Sequence, residues 1–206
     1  MMHPDDVLAI PLWIDGHAYL TLAPAFLPVR NPVSGEVLRR TPLCGAPVAA
    51  QAVAAAAAAV APWAAQPAAD RAALVAALGD ALAAYADHFT RLIVEESGQD
   101  AALAAAEVAA AIALLRSSPA GGVMGVVAVV GDAPLLSSLR LAVPAWLAGA
   151  ALLVRPPPET PSAIFALAEL SGRCGFPPGV FNVVHGADEL IDGLRASGTA
   201  VHLLFA

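Results

Sequence analysis

The sequence predicts an α/β protein: a parallel β-sheet with helices on both faces, preceded by a helical segment and a short N-terminal β segment. Three observations predict it. From Gly122 onward, apolar β-branched runs alternate with helical patterns, the rhythm of a parallel sheet with right-handed crossovers. From Pro47 to about Arg116 the periodicity is helical. Before that, short apolar runs are separated by turn residues. The chain therefore divides into residues 1–43 (extended), 44–118 (helical) and 119–206 (alternating).

Leu12-Trp13-Ile14-Asp15-Gly16 fits a strand entering a turn. Asn31-Pro32-Val33-Ser34-Gly35-Glu36-Val37 sets turn residues between apolar ones, as a hairpin does. Trp63 and Pro67 interrupt the helical stretch, and Pro67-Ala68-Ala69-Asp70 suits the first turn of a new helix. Leu74, Leu78, Leu82 and Tyr85 recur at helical steps, and Phe89, Leu92 and Ile93 continue that stripe until Gly98 stops it. Ala101–Arg116 is a further helix, ended by Ser117-Ser118-Pro119. Val123–Val130 is apolar throughout, as a strand covered on both faces is. Pro134–Ala148 reads as a helix, Ala151–Val154 as a short strand, and Pro161–Arg173 as a helix with Thr160 as N-cap. Gly179–Val184 is a strand, Ala187–Arg195 a helix, and Thr199–Phe205 the last strand.

Composition bounds the function. Of 206 residues, 59% are hydrophobic and 13% charged, which excludes a disordered chain. The formal charge of −7, with no basic cluster, argues against nucleic acid as a partner. Much of the apolar content is alanine, as in Ala54–Ala59. Alanine favours helix but buries little surface per residue, so an apolar face left for a partner is expected. Cys44 and Cys174 stand far apart without a CxxC or Cys/His cluster and read as small buried residues, so no metal site is expected. The start, MMHPDDVLAI, has acids where a signal peptide needs bases. The most apolar window, Leu139–Val154, contains Arg140, Pro144 and Gly149 and is short for a membrane span. The expected compartment is the cytoplasm, with no membrane partner.

Several strings, in this order of elements, resemble the aldehyde dehydrogenase superfamily. They are N-P-V-S-G-E-V (31–37), the Trp63…Pro67…Arg71 stretch, V-E-E-S-G (94–98) and G-V-M-G-V-V (122–127). The most specific are R-P-P-P-E-T-P (155–161) and G-F-P-P-G-V-F-N-V-V-H-G (175–186). The resemblance covers nearly the whole chain and only the N-terminal, NAD(P)-binding half of such an enzyme. It implies a Rossmann-like sheet.

The departures carry as much as the matches. The resemblance implies a G-S-T turn after the last strand, opening a helix whose free N–H groups hold the pyrophosphate. A nucleophilic cysteine and a general-base glutamate follow in the family. This sequence reaches Ala206 first, so the catalytic domain is expected to be absent, with no catalytic residue in the chain. Where the family has P-W-N-F-P, with an Asn that donates to the oxyanion, this sequence has V-V-G-D-A-P (129–134). Ionised Asp132 accepts and does not donate. In the ribose-holding turn Arg155 stands for the family lysine, Pro158 stands where the glutamate would be, and Glu159 falls one place late. Arg155 is therefore the sole cofactor-binding candidate, a remnant whose plain reading is a helix-cap or ion-pair residue. The longer connection with an oligomer-forming hairpin that the family carries before G-V-V-G-V is missing between Arg116 and Gly122.

The remaining polar residues have plain readings. His185 reads as a surface turn residue at a strand end, although that is where open parallel sheets hold ligands. His88 and His202 read as surface residues, and His17 as part of a turn. Glu95 and Glu96 read as a solvated face, and Trp13, Trp63 and Trp146 as core or interface anchors. The expectation is thus a non-catalytic, truncated module whose partner is another protein chain, a full-length dehydrogenase. It is similar to the inactive aldehyde-dehydrogenase-like domain at the C-terminus of some proline utilisation A enzymes. No cofactor is expected for the chain alone. The alternative is the cofactor-binding half of a split enzyme, using NAD or NADP, with its Cys and Glu on a second chain.

Overall fold

The structure is a computed structural model describing residues 7–206. Met1–Asp6, with the acidic Asp5 and Asp6 of the N-terminal reading, lie outside the described residues. The elements run β1 (Leu12–Ile14), β2 (His17–Tyr19), β3 (Phe26–Arg30), β4 (Val37–Pro42), α1 (Ala46–Ala65), α2 (Ala68–Ala84), α3 (Ala86–Ser97) and α4 (Ala101–Leu115). They continue as β5 (Val126–Val130), α5 (Leu136–Ala148), β6 (Ala151–Arg155), α6 (Ser162–Arg173), β7 (Phe181–Val183), α7 (Asp188–Arg195) and β8 (Val201–Phe205).

The main sheet has the order β2-β1-β7-β6-β5-β8. Its four C-terminal strands are parallel, as the alternating pattern predicts. The N-terminal ribbon does not stand apart, however. β1 pairs antiparallel with β7 through Trp13 and Val183, and carries β2 at the sheet edge. His17, expected in the turn, opens β2, with Nδ1 2.7 Å from the Asp15 carbonyl oxygen. The second ribbon, β3–β4, turns at Asn31, whose Oδ1 accepts from Val33 N (2.9 Å) and Ser34 N (3.1 Å).

Helices cover both faces of the sheet. α5 packs on β5 and β6, and α6 on β7 and β1; α1 and α7 form the opposite layer. β5 is buried along its whole length, which is why its sequence is uniformly valine and alanine. α2, α3 and α4 pack outside α5 and α6. The stripe from Leu74 to Ile93 belongs to two helices. α2 ends at Ala84, and Tyr85 (φ −114°, ψ 18°) restarts the ladder by accepting from both His88 N and Phe89 N. A one-residue joint preserves the apolar spacing, so periodicity alone does not reveal it. α1, not the 139–154 window, is long and apolar enough in composition to cross a membrane. It lays Ala49, Ala52, Val53, Ala56 and Trp63 into the core against β6 and α7.

Trp63 and Trp146 are fully buried. Trp63 Nε1 donates to Trp146 O (3.0 Å), and Trp146 Nε1 to Val180 O (3.2 Å). Both indoles meet Phe176. Trp13 is partly buried against the core, beside Gly172. Arg71 closes two helix ends. It donates to Leu147 O (3.1 and 2.9 Å) in the last turn of α5, to Ala64 O (3.2 Å) in the last turn of α1, and to Gln66 O just beyond it, satisfying carbonyls at helix ends that lack a partner within the helix. The short passage into β5 depends on Gly122, where a Cβ would lie 1.8 Å from Pro144 O. Gly98 ends α3 at φ 69°, with Pro32 so close that a Cβ would sit 2.6 Å from its Cγ.

Candidate functional site

Ligands of open parallel sheets bind at the carboxyl ends of the strands, beside helix N-termini. Three turns of this chain meet there: Gly131–Leu135 after β5, Pro156–Pro161 after β6, and Val184–Ala187 after β7. Every one of the helices they open is already faced by carboxylates. At α5, Glu107 Oε1 accepts from Leu135 N (3.1 Å) and Leu136 N (3.0 Å). At α6, Glu96 Oε2 accepts from Ser162 N (3.1 Å), and its Oε1 accepts from Ser162 Oγ. At α7, Asp188 and Glu189 occupy the first turn.

Glu96 overturns the reading of a solvated face. It is 5% exposed and pairs with Arg39 Nε at 2.8 Å. Burial raises its pKa, against the hydrogen bonds of Ser162 and the charge of Arg39, which lower it. It also displaces the expected cap. α6 begins at Ser162, no side chain of its own sequence caps it, and Thr160 Oγ1 is buried without a hydrogen-bond partner. Sequence reasoning missed both glutamates as caps because they come from distant helices. One signal was visible: Glu107 is the sole charge in an otherwise apolar α4.

Arg155, the cofactor-binding candidate, is half-buried. Its Nε donates to Gly186 O (2.9 Å), tying the turn after β6 to the turn after β7. Burial lowers its pKa, while Glu159 and Asp188 oppose that shift. The proline turn is pinned from the other side by Thr41, a fully buried residue whose Oγ1 donates to Pro158 O (2.6 Å). Pro158 therefore serves the corner through its carbonyl, the one hydrogen-bonding group proline retains.

His185, expected at the surface, is 1% exposed. Its Nε2 lies 3.1 Å from Pro11 O and its Nδ1 is buried without a partner. Burial, aided by the charge of Arg155, holds its pKa at about 4, so the ring is neutral and Nε2 donates. The position is interior because the N-terminal segment folds across the β7 end, where Cys44 N also donates to His185 O (3.2 Å). Burial pushes the Cys44 thiol up to about 11 and raises that of Cys174, so neither is poised as a nucleophile. Asp132 and Glu159 are exposed and line, with Arg30, Pro28, Pro134 and Pro157, a cleft of about 580 Å³. No cluster of three metal-ligating side chains occurs among the described residues.

The arrangement can cap helices and lock turns. For an anionic ligand it offers arginines already engaged, Arg155 on Gly186 O and Arg39 on Glu96, amid carboxylates. The model of the aldehyde dehydrogenase family matches residues 21–122 and 114–202. The chain is 34% identical to an N-succinylglutamate 5-semialdehyde dehydrogenase of Escherichia coli, over 94% of this chain and 44% of that enzyme. It is 30% identical to a glutarate-semialdehyde dehydrogenase of Pseudomonas aeruginosa, over 93% and 44%. Among solved structures, HpcC of Thermus thermophilus superposes with a TM-score of 0.87 at 23% identity, over 95% of this chain and 43% of that one. An NADP-dependent enzyme of Escherichia coli gives 0.80 at 24%, over 96% and 52%. The chain thus spans less than half the length of these curated relatives, and it belongs to the aldehyde dehydrogenase family.

Proposed function

We propose that this chain acts as a non-catalytic, partner-binding module of the aldehyde dehydrogenase fold, whose partner is a full-length dehydrogenase. One observation carries this reading: the helix N-termini at the carboxyl edge, where an anion would be held, are occupied or flanked by Glu107, Glu96, Asp188 and Glu189. An anion brought to α5 or α6 meets carboxylates instead of free N–H groups, and one brought to α7 meets the negative charge of its first turn. Arg155 spends its Nε on Gly186, and Asp132 supplies negative charge where the family's Asn would donate to an oxyanion. Calorimetric titration with NAD and with NADP tests this. No saturable binding by the isolated chain, together with co-elution with a full-length dehydrogenase, is the expected result. A dissociation constant of about 10 µM or tighter, roughly −7 kcal/mol, overturns it.

A second reading is the cofactor-binding half of a split NAD(P)-dependent aldehyde dehydrogenase. Coverage favours it, since the chain matches 40–44% of the first curated relatives. Dinucleotide binding that appears only when a chain carrying the missing Cys and Glu is added would establish it in place of the first.

A further inference from the structure

A groove of about 340 Å³ lies between α3 and α6 and is closed at one end by residues 8–11 and β4. That wall is fixed by backbone pairing: Ile10 N donates to Arg40 O (2.8 Å) and Arg40 N to Leu8 O (3.2 Å). Ile10, Leu38, Leu92, Phe165 and Ala166 make the lining apolar. Past His88 the groove continues into a recess of about 130 Å³ beside Tyr85, Leu170 and Arg173, and the two parts share His88, Ala166 and Glu169. Arg39 lines the main part. Its side chain is 26% exposed, and its buried Nε lies 2.8 Å from Glu96 Oε1, an ion pair without the alignment of a hydrogen bond. Neither Nη has a partner among the described residues. Glu96 lines the cleft at the carboxyl edge and Arg39 lines this groove, so the pair forms the partition between them. A largely buried guanidinium short of acceptors is costly, and its planar fork matches a carboxylate.

We propose that this groove binds a small carboxylate with an extended apolar tail, its head on the Arg39 fork and its tail along α6. The direction follows from the order of residues on α6. Glu96, the partner of Arg39, caps Ser162 at the start of that helix, so the head lies there. Phe165 and Ala166 come next, and Glu169 stands seven residues past Ser162, about 10 Å along a helix. The tail thus passes over apolar wall before it reaches the next charge. A groove of this size is at the low end of sites that hold small organic ligands, and an apolar lining with a few convergent polar groups is their usual make-up. Its walls come from four separate segments already packed together, so little ordering is required on binding. The site lies outside the three turns at the carboxyl edge and does not rest on the partner-binding reading.

The test is calorimetric titration of the full chain with octanoate, with 1-octanol as the ligand without a head charge and acetate as the one without a tail. Octanoate should bind saturably with a dissociation constant below about 1 mM. Octanol and acetate should each bind at least about tenfold more weakly, the effect of losing a hydrogen bond to a charged group or most of the apolar contact. Arg39→Gln removes the fork's charge and should weaken octanoate by at least about tenfold. Ala166→Phe fills the shared wall of both parts of the groove without touching the Arg39–Glu96 pair; it should abolish binding, and it serves if the Arg39 variant fails to fold. No saturable binding, octanol binding as tightly as octanoate, or unchanged binding by either folded variant overturns the proposal. So does octanoate binding seen only in a chain lacking residues 1–6, which would make the chain's own start the occupant. Failure to co-elute with a full-length dehydrogenase removes the partner-binding reading alone, and failure to bind octanoate removes this site alone.

Discussion

Lowering the pH should weaken this fold through His185 in a defined window. The ring is buried, and its pKa is held at about 4 against an ordinary 6.5. A group depressed in this way is neutral in the folded chain while the unfolded chain takes up a proton. Its stabilising contribution is complete above pH 6.5, declines as pH falls toward 4, and changes no further below that. The interval amounts to about 3 kcal/mol, at about 1.4 kcal/mol per pH unit through its middle. Glu96, whose pKa is raised, acts in the opposite sense, since protonation relieves its burial, so the wild-type curve alone does not isolate the histidine. The comparison is therefore between wild type and His185→Gln, by urea denaturation at pH 7, 5.5 and 4. Gln retains a donor for Pro11 O and does not titrate. The stability difference between the two proteins should shift by about 3 kcal/mol in favour of Gln between pH 7 and pH 4. Identical pH slopes would refute the reasoning and would place the ring in contact with water or a counter-charge.

Three further outcomes follow from the same structure. Glu107→Ala frees the Leu135 and Leu136 amides and should cost about 1–2 kcal/mol in urea denaturation, with Glu107→Gln recovering most of it. Arg71→Ala strips the carbonyls at the C-terminal ends of α1 and α5 of their shared donor and should cost about 2–4 kcal/mol, with Arg71→Lys only a partial substitute because it lacks the planar fork. In thiol labelling with a chromogenic disulfide at pH 8, Cys174 should react first and Cys44, buried with its pKa near 11, only as the protein unfolds; equal rates would show that Cys44 is open to solvent.

The local pattern carried most of the fold. β-branched runs and helical periodicity were enough to place the parallel strands and their crossovers, because burial on both faces of a sheet and on one stripe of a helix writes itself into residue type. The Tyr85 joint was not legible, since the apolar steps continue across it. The attachment of β1 to β7 was not legible either, because an antiparallel pairing of residues far apart in the chain leaves no mark at either strand. The site followed the same division. Arg155, Asp132 and the proline corner could be singled out from their positions beside the strand ends. What those residues touch could not.

By itself, then, the sequence determined the α/β pattern and the family; the proline in place of a ribose-binding glutamate and the acid in place of an oxyanion donor are what the resemblance implies. Only the tertiary structure decided that Glu96 and Glu107 reach across from α3 and α4 to cap α6 and α5, that His185 lies beneath the N-terminal segment, and that β1 joins the sheet against β7. The physical reason is range. Propensity and periodicity act over a few neighbouring residues, whereas a carboxylate finds a helix end, and a strand finds or lacks a neighbour, only once distant parts of the chain have packed together.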